Sequence, residues 1–418
     1  MVYYYNDKNY LCCENIILDD IVNEYKSPFY VYSKLEIVSK IKFLKDIFSD
    51  IKDFNIMYAV KAESNINILK IIIDAGCGVD VVSIWEIYRY LKAGGESKNI
   101  VFSGVGKTSE EIESAMKLNI KCFNIESINE AIRINSIANK LNKKVNCSFR
   151  INPNVDALTH HKITTGIYGN KFGISVETFR ENIDFIKSLN NLEVNTLSMH
   201  IGSQMLDFIP FRDAISVMRD FINEVRGYGF NIEHFDIGGG YGICYHKDDE
   251  KEIKTFNFDR FKSECFSILK DMNISIATEP GRFIVGEAGA LISRVEYIKE
   301  ELGRKYVILN SAMNDYMRVA LYDSYNTILP LKRKDSFDTY NFAGPVCETT
   351  DFFAYNRKSY KLEEGDYVAI IDVGAYGASM SSNYNSRGLP IQVLIDNNSH
   401  KIIRKEQSFE NLIDSELL

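Results

Sequence analysis

Two rhythms of apolar and polar residues alternate along most of the chain. Short apolar runs rich in β-branched and aromatic residues at 54–60, 79–83, 100–104, 121–125, 145–151, 194–200, 234–237 and 274–278 read as strands. Between them apolar side chains recur three and four residues apart. The clearest case is Phe211, Ala214, Ile215, Met218, Phe221, Ile222 and Val225, which share one face of a helix. Ser83-Ile84-Trp85-Glu86 has the form of a capping box at a helix start. Eight strand–helix units in roughly 250 residues predict a closed, TIM-like (β/α)8 barrel, with an open doubly wound sheet as the alternative. In either case the cleft belongs at the carboxyl ends of the strands.

After Gly281 the helical rhythm stops and strand-like pieces follow at 291–297, 306–309, 340–343, 367–371 and 391–395. Residues before Ser33 also read as short strands, ending in Phe29-Tyr30-Val31-Tyr32, and an amphipathic helix then runs to about Phe48. We therefore expect a barrel domain over 33–281 inserted into a mostly β domain made of 1–32 and 282–418. The length of 418 residues suits two hydrophobic cores.

Composition narrows the picture without choosing a chemistry. A hydrophobic fraction of 45% and a charged fraction of 25% describe a folded globular chain. The net charge of −8 disfavours a general nucleic-acid binder, so any anion site must be local. No run is long enough to span a membrane, and the first residues lack the basic and apolar segments of a signal peptide, so the cytoplasm is the expected location. Eight cysteines occur without a C-x-x-C pair, which points to neither a zinc framework nor a disulfide scaffold.

Lys61, in Tyr58-Ala59-Val60-Lys61-Ala62, ends the first barrel strand, where such folds keep their chemistry. Taken alone, a lysine after a strand ordinarily just opens a solvated loop. Gly104-Val105-Gly106-Lys107-Thr108 fails the nucleotide P-loop pattern because Val101 stands where the first glycine is needed. Gly238-Gly239-Gly240-Tyr241-Gly242 is not a dinucleotide fingerprint either. It does follow a late barrel strand, where consecutive glycines let backbone amides approach a phosphate. Thr278-Glu279-Pro280-Gly281-Arg282 brings a carboxylate and a guanidinium to the end of the last strand. His200-Ile201-Gly202-Ser203-Gln204 closes the sixth, with an imidazole able to stack on a ring and no second histidine spaced to share a metal.

These motifs, together with NPNVDALTHHKITTG at 152–166, NKFGI at 170–174, MNDYMRVALY at 313–322, GPVCE at 344–348 and GAYGASMSSNYNSR at 374–387, resemble one family as a set. From about Pro28 to Asp396 the chain resembles the pyridoxal-phosphate decarboxylases with an alanine-racemase-like barrel (fold type III), and among them the diaminopimelate decarboxylases. The resemblance implies pyridoxal 5'-phosphate (PLP) as cofactor, meso-diaminopimelate as substrate, L-lysine and carbon dioxide as products, and a homodimer whose sites are shared between subunits. It makes Lys61 the covalent anchor of the cofactor. Ser203, Gly239, Gly240, Gly281, Arg282 and Tyr376 would bind the cofactor, with His200 on the ring face and Glu279 at the ring nitrogen. Cys347 would donate the proton that replaces the lost carboxylate. Glu348 would face the distal ammonium, while Arg282, Arg318 and Tyr322 would face the distal carboxylate, with Tyr376 beside them.

Ornithine decarboxylases resemble the chain less, since they lack the HIGSQ form and the Arg318-x-x-x-Tyr322 spacing. Alternatives that stay open are a decarboxylase of another diamino acid and a non-catalytic relative. Retention of both Lys61 and Cys347 speaks against the latter. Two departures from the family pattern stand out: Glu63 in place of an asparagine, and Ile84-Trp85 in place of a small, glycine-containing pair.

Overall fold

The computed structural model describes residues 2–156, 169–247 and 253–417. Residues 157–166 of the NPNVDALTHHKITTG motif therefore lie outside the described residues. Two compact units emerge, one of Ile41–Ile243 with Lys254–Phe283 and one of Met1–Lys40, Cys244–Ile253 and Ile284–Leu418.

All eight expected barrel strands form: Phe54–Ala59, Gly78–Val81, Ile100–Phe102, Cys122–Ile125, Val145–Asn152, Leu192–Ser198, His234–Asp236 and Ser275–Thr278. Each is parallel to the next, and the eighth returns to pair with the first through Ile276, Ala277 and Thr278 against Phe54, Asn55 and Ile56. Closure removes the sheet edges and excludes the open-sheet alternative. The helix Ile209–Gly227 buries all seven apolar positions anticipated from the spacing, with Pro210 in its first turn. Ser83 does cap the next helix through Glu86 N, but the Glu86 carboxylate accepts from Val82 N (2.7 Å) instead of closing the box. The complete capping box is at Thr108 and Glu111.

In the other unit the strand Gly289–Glu301 is the centre of the sheet, flanked by Arg304–Leu309, Tyr367–Ile371 and Phe29–Ser33. The five residues of Phe29–Ser33 are all buried, because this amino-terminal strand is wedged between Gly289–Glu301 and the parallel Ile391–Asp396. Ile328–Pro330, Phe352–Tyr360 and Ser399–Arg404 are further strands that the apolar pattern does not mark. The segment beginning at Cys244 packs with this unit and not with the barrel, where the sequence boundaries put it. Its anchors are ion pairs from Lys247 to Glu287 (2.7 Å) and Asp372 (2.8 Å), and the His246 ring stacked on Tyr325 at 3.9 Å. Among the described residues no helix is long and apolar enough to cross a membrane, and no cluster of three histidine, cysteine or acidic side chains could hold a metal ion.

Candidate active site

The first barrel strand ends at Ala59, and Val60–Ala62 forms a single 3-10 turn that turns Lys61 out of the sheet. Val60 and Ala62 stay buried while the lysine side chain is 41% exposed, with Nζ 3.6 Å from Oδ2 of the buried Asp80. Ala59 N donates to Pro280 O, which ties this turn to the loop after the eighth strand. A side chain at Gly281 would press on Ala62 and Ala59 at 3.0 and 3.2 Å, so glycine lets the two loops touch.

The glycine loop after the seventh strand is built by equally close approaches. A Cβ at Gly239 would lie 2.0 Å from Glu279 O, and one at Gly240, whose φ is +107°, would lie 2.2 Å from Gly202 O. Only glycine fits either place. Met205 N donates to Gly240 O, and the Gln204 side chain both donates to and accepts from the Ile243 backbone, locking the HIGSQ loop to the glycine loop. Arg282, buried, donates to Ser203 Oγ at 3.1 Å. His200 Nδ1 accepts from Gly239 N at 3.2 Å. Burial, with Arg150 and Lys61 adding repulsion, holds its imidazole well below the usual histidine range. The ring is therefore neutral, a flat face and not a competing cation.

Below this lies a group of acids. Glu279 is pushed far above the usual carboxylate range by burial and by the charges of Asp236 and Asp80, which Lys61 and Arg150 only partly offset. Asp236 is raised to about 6, chiefly by burial, while accepting from Gly238 N at 2.8 Å. Among the described residues both Asp80 oxygens lack a hydrogen-bond partner. A closely packed glycine loop beside Ser203 and the Arg282 guanidinium, an amine, and under-neutralised buried carboxylates suit a phosphorylated ring with a basic nitrogen, as PLP is. The barrel thus brings together Lys61, His200, Ser203, Gly239, Gly240, Glu279, Gly281 and Arg282.

Raised acids of this kind make stability fall with pH. A carboxyl held above its unfolded value stabilises the fold below that value and loses the contribution as pH rises through the folded one. In cofactor-free protein, Asp236→Asn is therefore expected to gain stability relative to wild type between about pH 5 and about pH 8. Asparagine keeps an acceptor for Gly238 N. Thermal unfolding midpoints at the two pH values check this, and a difference that does not grow toward alkaline pH would refute it.

Sequence reasoning missed the supporting charges. Arg150 pairs with Glu126 (3.2 Å), donates to His200 O (3.3 Å) and lies over the Phe172 ring at 4.8 Å. Glu126 also accepts from Gly104 N and Gly173 N, drawing the NKFGI segment over the mouth. The rejected P-loop lysine is accounted for as well: Lys107 is buried against Glu130 (2.6 Å) and two carbonyls, so it has no phosphate to meet.

In the other unit, Arg318 is buried with its guanidinium 5.1 Å from the Tyr322 ring and 5.8 Å from the Tyr376 ring. Among the described residues its Nε has no hydrogen-bond partner. Tyr376 adopts a left-handed φ of +56°. Cys347 is the one exposed cysteine of the eight, and its N donates to Asn385 Oδ1 at 3.1 Å. Glu348 is exposed and turned onto Thr349 N. Asp351 binds Met313 N and Val346 N, and Asn314 reaches Ser382 O, so the MNDYM, GPVCE and GASMSSNYNSR loops form one group. Of the two departures, Glu63 is buried and accepts from Asn65 N, whereas Trp85 is 72% exposed and edge-on to Tyr88.

A family model for the pyridoxal binding domain of pyridoxal-dependent decarboxylases matches residues 35–286. The diaminopimelate decarboxylase of Vibrio cholerae is 38% identical over 98% of this chain and 97% of its own length. Among solved structures, diaminopimelate decarboxylase from Helicobacter pylori complexed with L-lysine has a TM-score of 0.91 at 37% identity, covering 95% of this chain and 98% of that one. The enzyme from M. jannaschii has a TM-score of 0.94 at 36% identity, covering 100% and 98%. Glycine cradle, strand-end lysine and buried acids thus sit in a chain that belongs to the pyridoxal-dependent decarboxylases, in the diaminopimelate decarboxylase family.

Proposed function

We infer that this protein removes carbon dioxide from meso-diaminopimelate to leave L-lysine, the last step of lysine synthesis by that route. The observation that carries the chemistry is the buried Glu279, with Asp236 and Asp80 near it, in the same barrel mouth as Lys61 and the glycine loop. PLP, when bound, supplies the electron sink for the electrons left as carbon dioxide departs. Glu279 would hold a proton at the ring nitrogen. Gly240 would offer its backbone amide to the phosphate, Gly239, whose N–H goes to His200 Nδ1, would let the loop approach closely, Ser203 and Arg282 would back them, and Gly281 keeps the neighbouring loop close. Neutral His200 would lie against the ring face, and Lys61 Nζ would anchor the cofactor covalently.

Cys347 Sγ gives the proton to the carbon that lost its carboxylate. Arg318, cushioned by Tyr322 and Tyr376 with Nε unpartnered, fits a distal carboxylate, helped by Arg282, and Glu348 fits the distal ammonium. Incubating the protein and PLP with a panel of diamino acids and detecting carbon dioxide tests the reading. Release from meso-diaminopimelate well above the rest is expected, and turnover of another diamino acid alone would overturn the substrate assignment.

The working unit is a cytoplasmic homodimer in which Cys347, Glu348 and Tyr376 of one subunit complete the barrel site of the other. Mixing inactive Lys61→Ala and Cys347→Ala subunits is then expected to restore part of the activity, because some mixed dimers carry one intact site. Absence of recovery after proven subunit exchange would rule out shared sites.

A further inference from the structure

Barrels of this type usually fill their interior with layers of branched apolar side chains. This one does not. A cavity of about 210 Å³ occupies the amino-terminal half of the barrel, among inward-facing residues that include Asn55, Asn146, Ser148, Thr196, His234 and Asp236. Asn55 and Asn146 are exposed, and Thr196, His234, Ser275 and Ala277 are partly so. Solvent therefore reaches Ala277, which lies opposite Asp236 on the neighbouring strand. The cavity wall is mixed, with Met57, Val101 and Ala277 beside the hydrogen-bonding groups, and water belongs on the polar side, where those groups give it partners.

The inner end of the cavity meets the acids of the active site. Asp236 is on the wall, only 4% exposed, and its carboxyl is hydrogen-bonded to that of Glu279. Asn124, also on the wall, reaches Glu279 Oε1 at 3.5 Å and is held by Ser198, which is held in turn by Ser148. We propose that the cavity is a water-filled proton path from the amino-terminal face of the barrel to the Asp236–Glu279 pair, with Asp236 as the positioning residue at its inner end. The transfer balances simply: the Glu279 O–H proton passes to an Asp236 carboxylate oxygen, Asp236 gives one to cavity water, and one proton appears in solvent at the far face. Glu279 can then change its protonation while the mouth above it is occupied by ligand.

The other titratable groups near the pair are Asp80, Lys61 and Arg150 at the mouth and Cys122 on the cavity wall. Burial pushes the Cys122 thiol up to about 12, so it stays neutral. At the outer end, burial and Lys121 lower His234, which keeps a second cation out of the path.

The inference rests on the decarboxylase reading only for its purpose, and its first test does not use the cofactor. A high-resolution crystal structure of the cofactor-free protein is expected to show ordered waters between His234 and Asp236, and a dry cavity overturns the proposal. In holoenzyme, a stopped-flow pH jump followed by the visible band of the bound cofactor reads the proton exchange. Ala277→Leu, or Thr196→Leu should that variant not fold, is expected to slow re-equilibration at least about tenfold with an unchanged end-point spectrum, equivalent to about 1.4 kcal/mol in the barrier. An unchanged rate in a variant whose cavity is demonstrably filled refutes the path. Asp236→Asn is expected both to slow the response and to move its midpoint, and a moved midpoint without slowing would refute the role given to Asp236.

Discussion

Lys61→Ala protein is expected to bind PLP without the visible absorption of a covalently held cofactor, and to lose on the order of a thousandfold or more in turnover. The reason is positional. The 3-10 turn Val60–Ala62 is fixed by its two buried neighbours and by the bond from Ala59 N to Pro280 O, and it delivers Nζ beside Asp80 at the strand ends. Lys107, at the end of another barrel strand, is sealed against Glu130 and the carbonyls of Gly104 and Asn124 and cannot take over. The fold itself should tolerate the change. A side chain 41% exposed, in an ion pair at 3.6 Å, contributes at most about 1 kcal/mol to stability. Absorption spectroscopy with borohydride reduction and peptide mapping checks the anchor. A reducible chromophore that persists in the variant would exclude Lys61.

The strands that carry these residues were legible because each is a run of buried apolar residues bounded by turn formers. Closure was not, since periodicity describes each strand and says nothing of whether Ser275–Thr278 returns to Phe54–Ala59. Strand ends were read one or two residues long where the chain leaves the sheet, as at Ser83, which caps a helix instead. Ser399–Arg404 escaped notice because it is an edge strand with mostly polar, solvent-facing residues.

Within the site, Lys61, the glycines and Glu279 could be found because they interrupt strand ends with unusual residue types. Asp80 and Asp236 could have been found by another signal, a charge enclosed in a buried run, as in Val79-Asp80-Val81 and Phe235-Asp236-Ile237. Arg150 and Glu126 carry no such mark, for their meaning lies in whom they meet across the mouth. The stack of Arg318 on Tyr322, four residues on, is joined by Tyr376 from far along the chain, and only the resemblance pointed to it.

That stack makes the sharpest prediction about substrate choice. Arg318→Leu is expected to lower catalytic efficiency toward meso-diaminopimelate by roughly 2–5 kcal/mol, the cost of leaving one partner of a buried charge pair alone. At about 1.4 kcal/mol per factor of ten this is at least about tenfold and up to about a thousandfold or more. Leucine approximates the bulk between the two tyrosine rings, so the change removes the charge and donors more than the packing. Among the described residues the buried arginine has no ion-pair partner and no hydrogen-bond partner at Nε, so its removal strands no described carboxylate and the loss falls on the ligand. Lysine supplies the control substrate: it shares the amino-acid head and the distal amine but has no distal carboxylate. Its binding and any slow decarboxylation should change far less. Steady-state kinetics on both compounds decide the matter, and proportionate losses on the two would mean that Arg318 supports the loop group around Tyr376 and does not read the substrate.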